Sequence, residues 1–294
     1  MCDEFTEAEA AAALESASAD RGGISRRQFA AMSAAAAMVA CAKPSDGKTP
    51  ALTESTVRIQ TPDGMADAFF VHPARGKRPA VIIWPDIGGL REAFYLMGRR
   101  LAAAGYAVLV VNQYYRNAPA PVLNSFAEWR TPEGQAKLAP MIAGVTAAGV
   151  ARDAAAFVAW LDTQTAVNTR KGVGSQGYCM GGPFAVRTAA AAPGRVRAVG
   201  SFHGGGLVGT AADSPVQLLG QSQASYLIAI AQGDDARAPG DKDALRTAAD
   251  AAKRPAEIEV YPANHGWCVA DSPVYDAAQA ERAWVRLLAL YTSL

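Results

Sequence analysis

A cysteine at position 179 lies in the run Gly177-Tyr178-Cys179-Met180-Gly181, a G-x-C-x-G pattern. A short apolar stretch, Gly172 to Tyr178, leads into it, and an alanine-rich helical stretch, Met180 to Ala192, leads out. This is the thiol counterpart of the G-x-S-x-G elbow, where a nucleophile stands on a sharp turn between a strand and a helix. The glycines are needed because the turn is strained and a side chain on either flank would run into the neighbouring backbone. N–H groups at the start of the following helix favour a thiolate and can hold a developing oxyanion. A lone cysteine is otherwise a small buried hydrophobe, but the glycines and the strand–turn–helix setting point to a nucleophile.

A thiol nucleophile needs a base, and the chain offers three histidines. His72 ends an early strand beside Pro73, upstream of the elbow. His203 follows a strand and precedes Gly204-Gly205-Gly206, which suits a structural hydrogen-bonding role. His265 lies in Asn264-His265-Gly266, after the last expected strand and before the last helix. The order nucleophile, acid, histidine along the chain marks the α/β-hydrolase arrangement and selects His265. The acid should leave the intervening strand, Tyr226 to Ala231, at Gln232-Gly233-Asp234-Asp235. Asp234 is favoured by its spacing from the strand, with Asp235 as the competing carboxylate.

The elements that must position these groups alternate short β-branched runs with longer helical stretches, the pattern of a mostly parallel sheet covered on both faces. Thr56 to Gln60 and Asp67 to His72 read as an antiparallel pair turned at Pro62-Asp63-Gly64. Further strands are expected at Ala80 to Trp84, Tyr106 to Val111, Gly172 to Tyr178, Val196 to Phe202, Tyr226 to Ala231 and Glu257 to Tyr261. Helices are expected at Glu92 to Ala104, Ala147 to Asp162, Met180 to Ala192, Asp241 to Lys253 and Pro273 to Leu290. The proline-rich stretch Gln113 to Ala143 breaks the rhythm and reads as a loop or lid over one end of the sheet. One α/β-hydrolase domain over 55–294 accounts for all of this.

Half of the 294 residues are hydrophobic and 19% are charged, enough apolar material for one large core. With 28 Lys and Arg against 27 Asp and Glu, the net charge is +1, and no basic stripe suits a phosphate backbone. Nucleic acid is therefore not an expected partner. Residues 1–42 differ in character: Arg26-Arg27-Gln28-Phe29 precedes the small apolar run Ala30 to Ala40, too short to span a bilayer. That combination resembles a twin-arginine export signal, the alternative being a cytosolic helix that carries two arginines. Ala40-Cys41-Ala42 suits signal cleavage, whereas Met38-Val39-Ala40-Cys41 resembles a lipobox that would attach the chain to a membrane through lipidated Cys41. The expected location is exported, periplasmic or membrane-anchored. Residues 43–54 read as a flexible tether. Of the four cysteines, Cys2 and Cys41 belong to the leader, so Cys179 and Cys268 form no disulfide framework. Cys268, three residues past His265, has no assigned role, and a bond to Cys179 would abolish the chemistry.

With these residues in hand the chain resembles the dienelactone hydrolase family. Five segments carry the resemblance: Gly177 to Gly182, Pro85-Asp86-Ile87-Gly88-Gly89, Tyr114-Tyr115-Arg116-Asn117-Ala118-Pro119, the acid loop, and Asn264-His265-Gly266. It covers essentially everything after the tether. The resemblance implies that the backbone amides of Ile87 and Met180 form the oxyanion hole. It also implies that Asp86, one methylene shorter than the family glutamate, holds the resting thiol, and that Arg116 grips a substrate carboxylate. A second family arginine, four residues past the histidine, is Val269 here. With one guanidinium in place of two, recognition of a carboxylated lactone is weakened. Arg116 as a plain surface residue is the competing reading.

The expected reaction is hydrolysis of a small-molecule ester or lactone. Cys179 attacks, His265 acts as base, Asp234 orients the imidazole, and water hydrolyses the thioester. Neither a metal nor an organic cofactor is expected. Tyr114, Tyr115, Trp129 and Trp267 are candidates for pocket walls. A general carboxylesterase or thioesterase on the same scaffold, and a lipid-anchored binding protein that has lost activity, are the rival readings. No oligomeric state follows from the sequence.

Overall fold

In a computed structural model of the chain, the described residues are 50–294. The twin-arginine-type segment over 1–42, Cys41 with its lipidation, and residues 43–49 of the tether lie outside them.

The chain opens with a long hairpin, β1 (Leu52–Thr61) and β2 (Gly64–Pro73), in register from Leu52 opposite Pro73 to Thr61 opposite Gly64. The turn closes as Thr61 Oγ1 accepts the Asp63 N–H at 3.1 Å. Gly64 takes φ of 133°, a value open to glycine alone. β1 thus begins at Leu52, inside the stretch read as tether, because the pairing with β2 continues to Pro73.

The next strands are β3 (Ala80–Trp84) and β4 (Ala107–Val111), with helix α1 (Glu92–Ala103) between them. Every residue of AVIIW and AVLVV is buried, as expected of strands covered on both faces. α1 turns Ala93, Phe94, Leu101 and Ala102 to the sheet. Burial of Phe94 and Leu101 is worth about 1.5–3 kcal/mol each.

The stretch expected to be loop folds in part into helices α2 (Phe126–Trp129) and α3 (Pro132–Gly144). Proline was the misleading signal: Pro132 sits in the first turn, where a missing N–H costs nothing. Thr131 caps the same helix by accepting the Gly134 N–H at 3.0 Å. These helices close a small apolar cluster of Tyr114, Val122, Leu123 and Leu138, with Trp129 and Met180 against it.

The remainder is α4 (Ala147–Asp162), β5 (Val173–Tyr178), α5 (Gly181–Ala191), β6 (Val196–Phe202), α6 (Pro215–Leu218), β7 (Ser225–Ala231), α7 (Gln232–Arg237), α8 (Asp241–Ala251), β8 (Ala256–Tyr261) and α9 (Ala277–Tyr291). α9 starts four residues later than expected from Pro273, where Asp276 accepts the Gln279 N–H at 3.0 Å.

The strand order is β1-β2-β4-β3-β5-β6-β7-β8, with β1 and β2 antiparallel and the others parallel. α4, α5 and α8 bury apolar residues in the cluster on one face, and α1 and α9 do so on the other. The chain runs from β3 outward to β4 and then returns to β5 on the other side of β3, so strand order reverses there. Ligands of open α/β sheets bind in the crevice at the carboxyl ends of strands at such a point. Trp84 pairs with Gly177, Tyr178 with Phe202 and Ala231 with Tyr261, which brings the loops after β3, β5, β6, β7 and β8 to one edge.

Candidate active site

Cys179 stands one residue beyond β5 with φ of 51°, the left-handed region that non-glycine residues enter only when their surroundings impose it. What imposes it is backbone contact on all sides. A Cβ at Gly177 would lie 1.9 Å from the Gly181 carbonyl oxygen, and one at Gly181 would lie 2.3 Å from the Trp84 oxygen. A Cβ at Gly182 would meet Ser201 Oγ at 2.6 Å and Gly204 Cα at 2.7 Å. Strand, turn and helix therefore fit only with glycine at these positions. The Cys179 N–H is held by the Phe202 carbonyl at 3.0 Å and by His203 Nδ1 at 3.2 Å.

His265 follows β8, and its Nδ1 lies 2.8 Å from Asp234 Oδ2. A carboxylate can only accept, so the proton of this pair sits on Nδ1 and Nε2 is left for the thiol. Burial works against a charged imidazole, but the charge of Cys179, the Asp234 hydrogen bond and the Cys179 hydrogen bond together hold His265 well above its ordinary range. Asp234 also carries an ion pair with Arg237 on its other oxygen. Asp235 takes Lys242 Nζ at 2.6 Å instead. Gln232 Nε2 donates to Asn264 Oδ1 at 2.9 Å, tying the segment that bears Asp234 to the segment that bears His265.

His203 is buried, has φ of 41°, and lies edge-on to His265 with ring centroids 4.9 Å apart. Burial, then the charge of His265, hold it well below the ordinary histidine value. It is neutral, with Nδ1 as acceptor and the proton on Nε2. His72 lies on β2, where its Nδ1–H donates to the Pro73 carbonyl at 2.8 Å.

In the β3–α1 loop, Tyr114 Oη donates to the Ile87 carbonyl at 2.8 Å and contacts Met180 Sδ at 3.5 Å. Gln113 Nε2 donates to the Asp86 carbonyl at 2.7 Å. Neither the Ile87 nor the Met180 main-chain N–H donates to another group among the described residues. Tyr114 thus connects the two loops from which an oxyanion could be bound.

Two further expected site residues have other partners. The Asp86 carboxylate is turned to Arg91, at 2.6 and 2.9 Å, and to the Gly88 N–H at 2.8 Å. The shorter side chain is committed to its own loop, whereas the family resemblance implied a partner for the resting thiol. Arg116 reaches both oxygens of buried Asp153, at 2.8 and 2.9 Å, and Asp63 at 2.6 Å, with its guanidinium over the Tyr115 ring. Its fork is filled by protein carboxylates. Val269, where the family has its second arginine, is buried in the core.

Cys268 and Cys179 are both free thiols. Cys268 is buried, and burial pushes its thiol well up. Trp267 is fully buried and stacks on Tyr261, so it belongs to the core. Sequence reasoning missed Arg91: an arginine at the start of a helix is ordinary, and its second partner, Asp271, is 180 residues away in the chain.

A doubly wound sheet with a cysteine on a strand-to-helix elbow, followed in chain order by an aspartate and a histidine, defines an α/β-hydrolase. Residues 66–293 match the dienelactone hydrolase family. The chain belongs to that family, a group of hydrolases that act on ester and lactone bonds. A Methylorubrum extorquens protein described as a "putative carboxymethylenebutenolidase" is 27% identical over 276 residues, covering 90% of this chain and 91% of the relative. The crystal structure of a Klebsiella pneumoniae protein described as a "putative dienelactone hydrolase" superposes with a TM-score of 0.71 at 24% identity, over 83% of this chain and all of that one. A dienelactone hydrolase-like promiscuous phosphotriesterase from metagenomic libraries gives 0.69 at 23% identity, over 83% of this chain and 99% of the other. Both structural likenesses concern the fold.

Proposed function

We propose that this hydrolase cleaves small ester or lactone substrates through a Cys179–His265–Asp234 triad and a thioester intermediate. The observation that carries the reading is the arrangement of one side chain against the next. Cys179 occupies a strained elbow, His265 is held above its ordinary range in part by the charge of Cys179, and His265 Nδ1 meets Asp234 at 2.8 Å. The thiolate attacks the carbonyl carbon, and the oxyanion is held by the Ile87 and Met180 N–H groups. The His265 imidazolium then gives its proton to the leaving oxygen. In the second half, His265 takes a proton from water as the water attacks the thioester, and Cys179 leaves as thiolate. Asp234 keeps the proton on Nδ1 throughout.

The substrate reading is a neutral ester or lactone, that of a general carboxylesterase. Arg116 already pairs with Asp153 and Asp63, and Val269 offers no charge, so the anion grip that a carboxylated lactone requires has no free cation in those two positions. p-Nitrophenyl acetate and a carboxylated lactone, assayed side by side, test this. The neutral ester is expected to have the higher kcat/KM, and the reverse order contradicts the reading.

Export is proposed on the strength of Arg26-Arg27-Gln28-Phe29 and the apolar run behind it. Cell fractionation with the arginine pair replaced by lysine should leave the protein in the cytoplasm. An unchanged distribution would count against the signal.

A further inference from the structure

Arg91 is fully buried at the start of α1, and each of its five N–H donors has an acceptor. Nη1 reaches Asp86 Oδ1 at 2.6 Å and the Gly89 carbonyl at 3.2 Å. Nη2 reaches Asp86 Oδ2 at 2.9 Å and Asp271 Oδ1 at 2.8 Å, and Nε reaches Asp271 Oδ2 at 2.8 Å. Each carboxylate also accepts a main-chain N–H. Asp86 Oδ1 accepts the Gly88 N–H at 2.8 Å, and Asp271 Oδ2 accepts the Phe126 N–H at 2.9 Å. The guanidinium also lies over the rings of Phe94 and Phe126, at 5.1 and 5.4 Å.

Three segments meet at this one cation: the loop that carries Ile87, the segment that follows His265, and the first residue of α2. The loop is shaped around it, since a Cβ at Gly88 would come within 2.9 Å of Nη1. A guanidinium fork can satisfy two carboxylates at once, a geometry that the single ammonium of lysine does not reproduce. Burial works against its charge, but Asp86 and Asp271 more than offset that.

We propose that Arg91 is a positioning residue for the reaction: it fixes the Ile87 amide relative to the His265 segment and keeps the Asp86 carboxylate paired within its own loop. The proposal rests on the reading of Cys179 as the nucleophile. The elbow abuts the Asp86 loop: a Cβ at Gly181 would lie 2.6 Å from the Pro85 carbonyl oxygen, and the Tyr114 ring bridges Ile87 and Met180. Unpaired, the Asp86 charge would repel a thiolate across that ring. The other groups facing Cys179 are His265 from the segment after β8, His203 from the end of β6 and Tyr114 from the end of β4. Asp234 stands behind His265.

The test measures p-nitrophenyl acetate kinetics and the pH profile of Cys179 alkylation by iodoacetamide. The variants are Arg91→Gln, Arg91→Gln combined with Asp86→Asn, and Arg91→Lys. In Arg91→Gln, kcat should fall roughly 10- to 100-fold with KM within a few-fold. The alkylation midpoint should rise by about one pH unit, as expected for an uncompensated neighbouring carboxylate. Adding Asp86→Asn should return the midpoint while leaving kcat low, a separation that a merely structural role would not produce. Folded Arg91→Gln with the wild-type kcat and profile, or a raised midpoint that Asp86→Asn does not restore, overturns the proposal. If Arg91→Gln does not fold, Arg91→Lys decides: it should keep the midpoint and lose kcat, and wild-type kcat overturns the proposal. Wild-type Cys179 that alkylates no faster at neutral pH than free cysteine would contradict the nucleophile reading itself. Fast wild-type alkylation with unaltered variants contradicts only the role of Arg91.

Discussion

The main-chain N–H of Cys179 points at Nδ1 of His203, 3.2 Å away. The imidazole nearest in sequence to the elbow is therefore an acceptor that braces the strained turn, and the one whose charge is coupled to the thiol, His265, comes from 86 residues downstream. His203→Phe keeps the ring volume and removes the acceptor. It should cost about 1 kcal/mol of stability near neutral pH, the usual worth of a hydrogen bond. Because the folded state holds His203 below its unfolded value, its contribution to stability is complete above about pH 6.5 and is lost as pH falls toward the folded value. Urea denaturation at pH 7.5 and pH 5.5 should accordingly show a smaller acid-induced loss for His203→Phe than for the wild type.

Asp234 and Asp235 are adjacent, yet only Asp234 reaches His265. Asp234→Asn should lower kcat about 10²- to 10⁴-fold, because an amide no longer selects the required tautomer. Asp235→Asn, which removes the Lys242 pair, should stay within a few-fold of wild type. Steady-state kinetics on p-nitrophenyl acetate distinguish the two, and equal losses would contradict the assignment of the acid.

The raised state of His265 depends on the sulfur beside it and on Asp234. A group raised on folding stabilises the fold fully below its unfolded pKa, about 6.5, and loses that contribution as pH rises through the folded value. In Cys179→Ala the charge and hydrogen bond of the sulfur are gone while Asp234 stays. An NMR titration of the His265 ring should then move its midpoint down from the wild-type position. No movement would mean that the thiol and imidazole are not electrically coupled.

Arg116 serves the fold through Asp153, whose side chain is 3% exposed. Arg116→Ala leaves that carboxylate buried without its cation and should cost about 3 kcal/mol or more. The ratio of kcat/KM for neutral against carboxylated esters should hardly change. A selective loss on carboxylated esters would restore Arg116 as an anion-binding residue.

The elbow was legible in the sequence because its glycines at 177, 181 and 182 stand close together in the chain, although the atoms that exclude a side chain at 181 and 182 come from Trp84, Ser201 and Gly204. The strands were legible for a similar reason, since AVIIW and AVLVV are apolar throughout and buried throughout. What was not legible depends on distance or on an ambiguous residue. Nothing in Arg91 announces a partner at Asp271, and the filled fork of Arg116 depends on Asp63 and Asp153, which the chain brings in from a hairpin turn and a helix. Prolines 132 and 140 looked like breakers, yet both lie within α3. The pair Asp234-Asp235 could be ranked by spacing, but which carboxylate meets His265 is fixed by the short helix α7 and its Arg237 and Lys242 pairs.

The thioester on Cys179 is open to direct observation by mass spectrometry of acid-quenched protein mixed with excess p-nitrophenyl acetate. An acetyl group on the peptide that contains Cys179, absent from Cys179→Ala and longer-lived in His265→Asn, is the predicted result. Turnover that persists in Cys179→Ala, or an adduct found only on other residues, would contradict it.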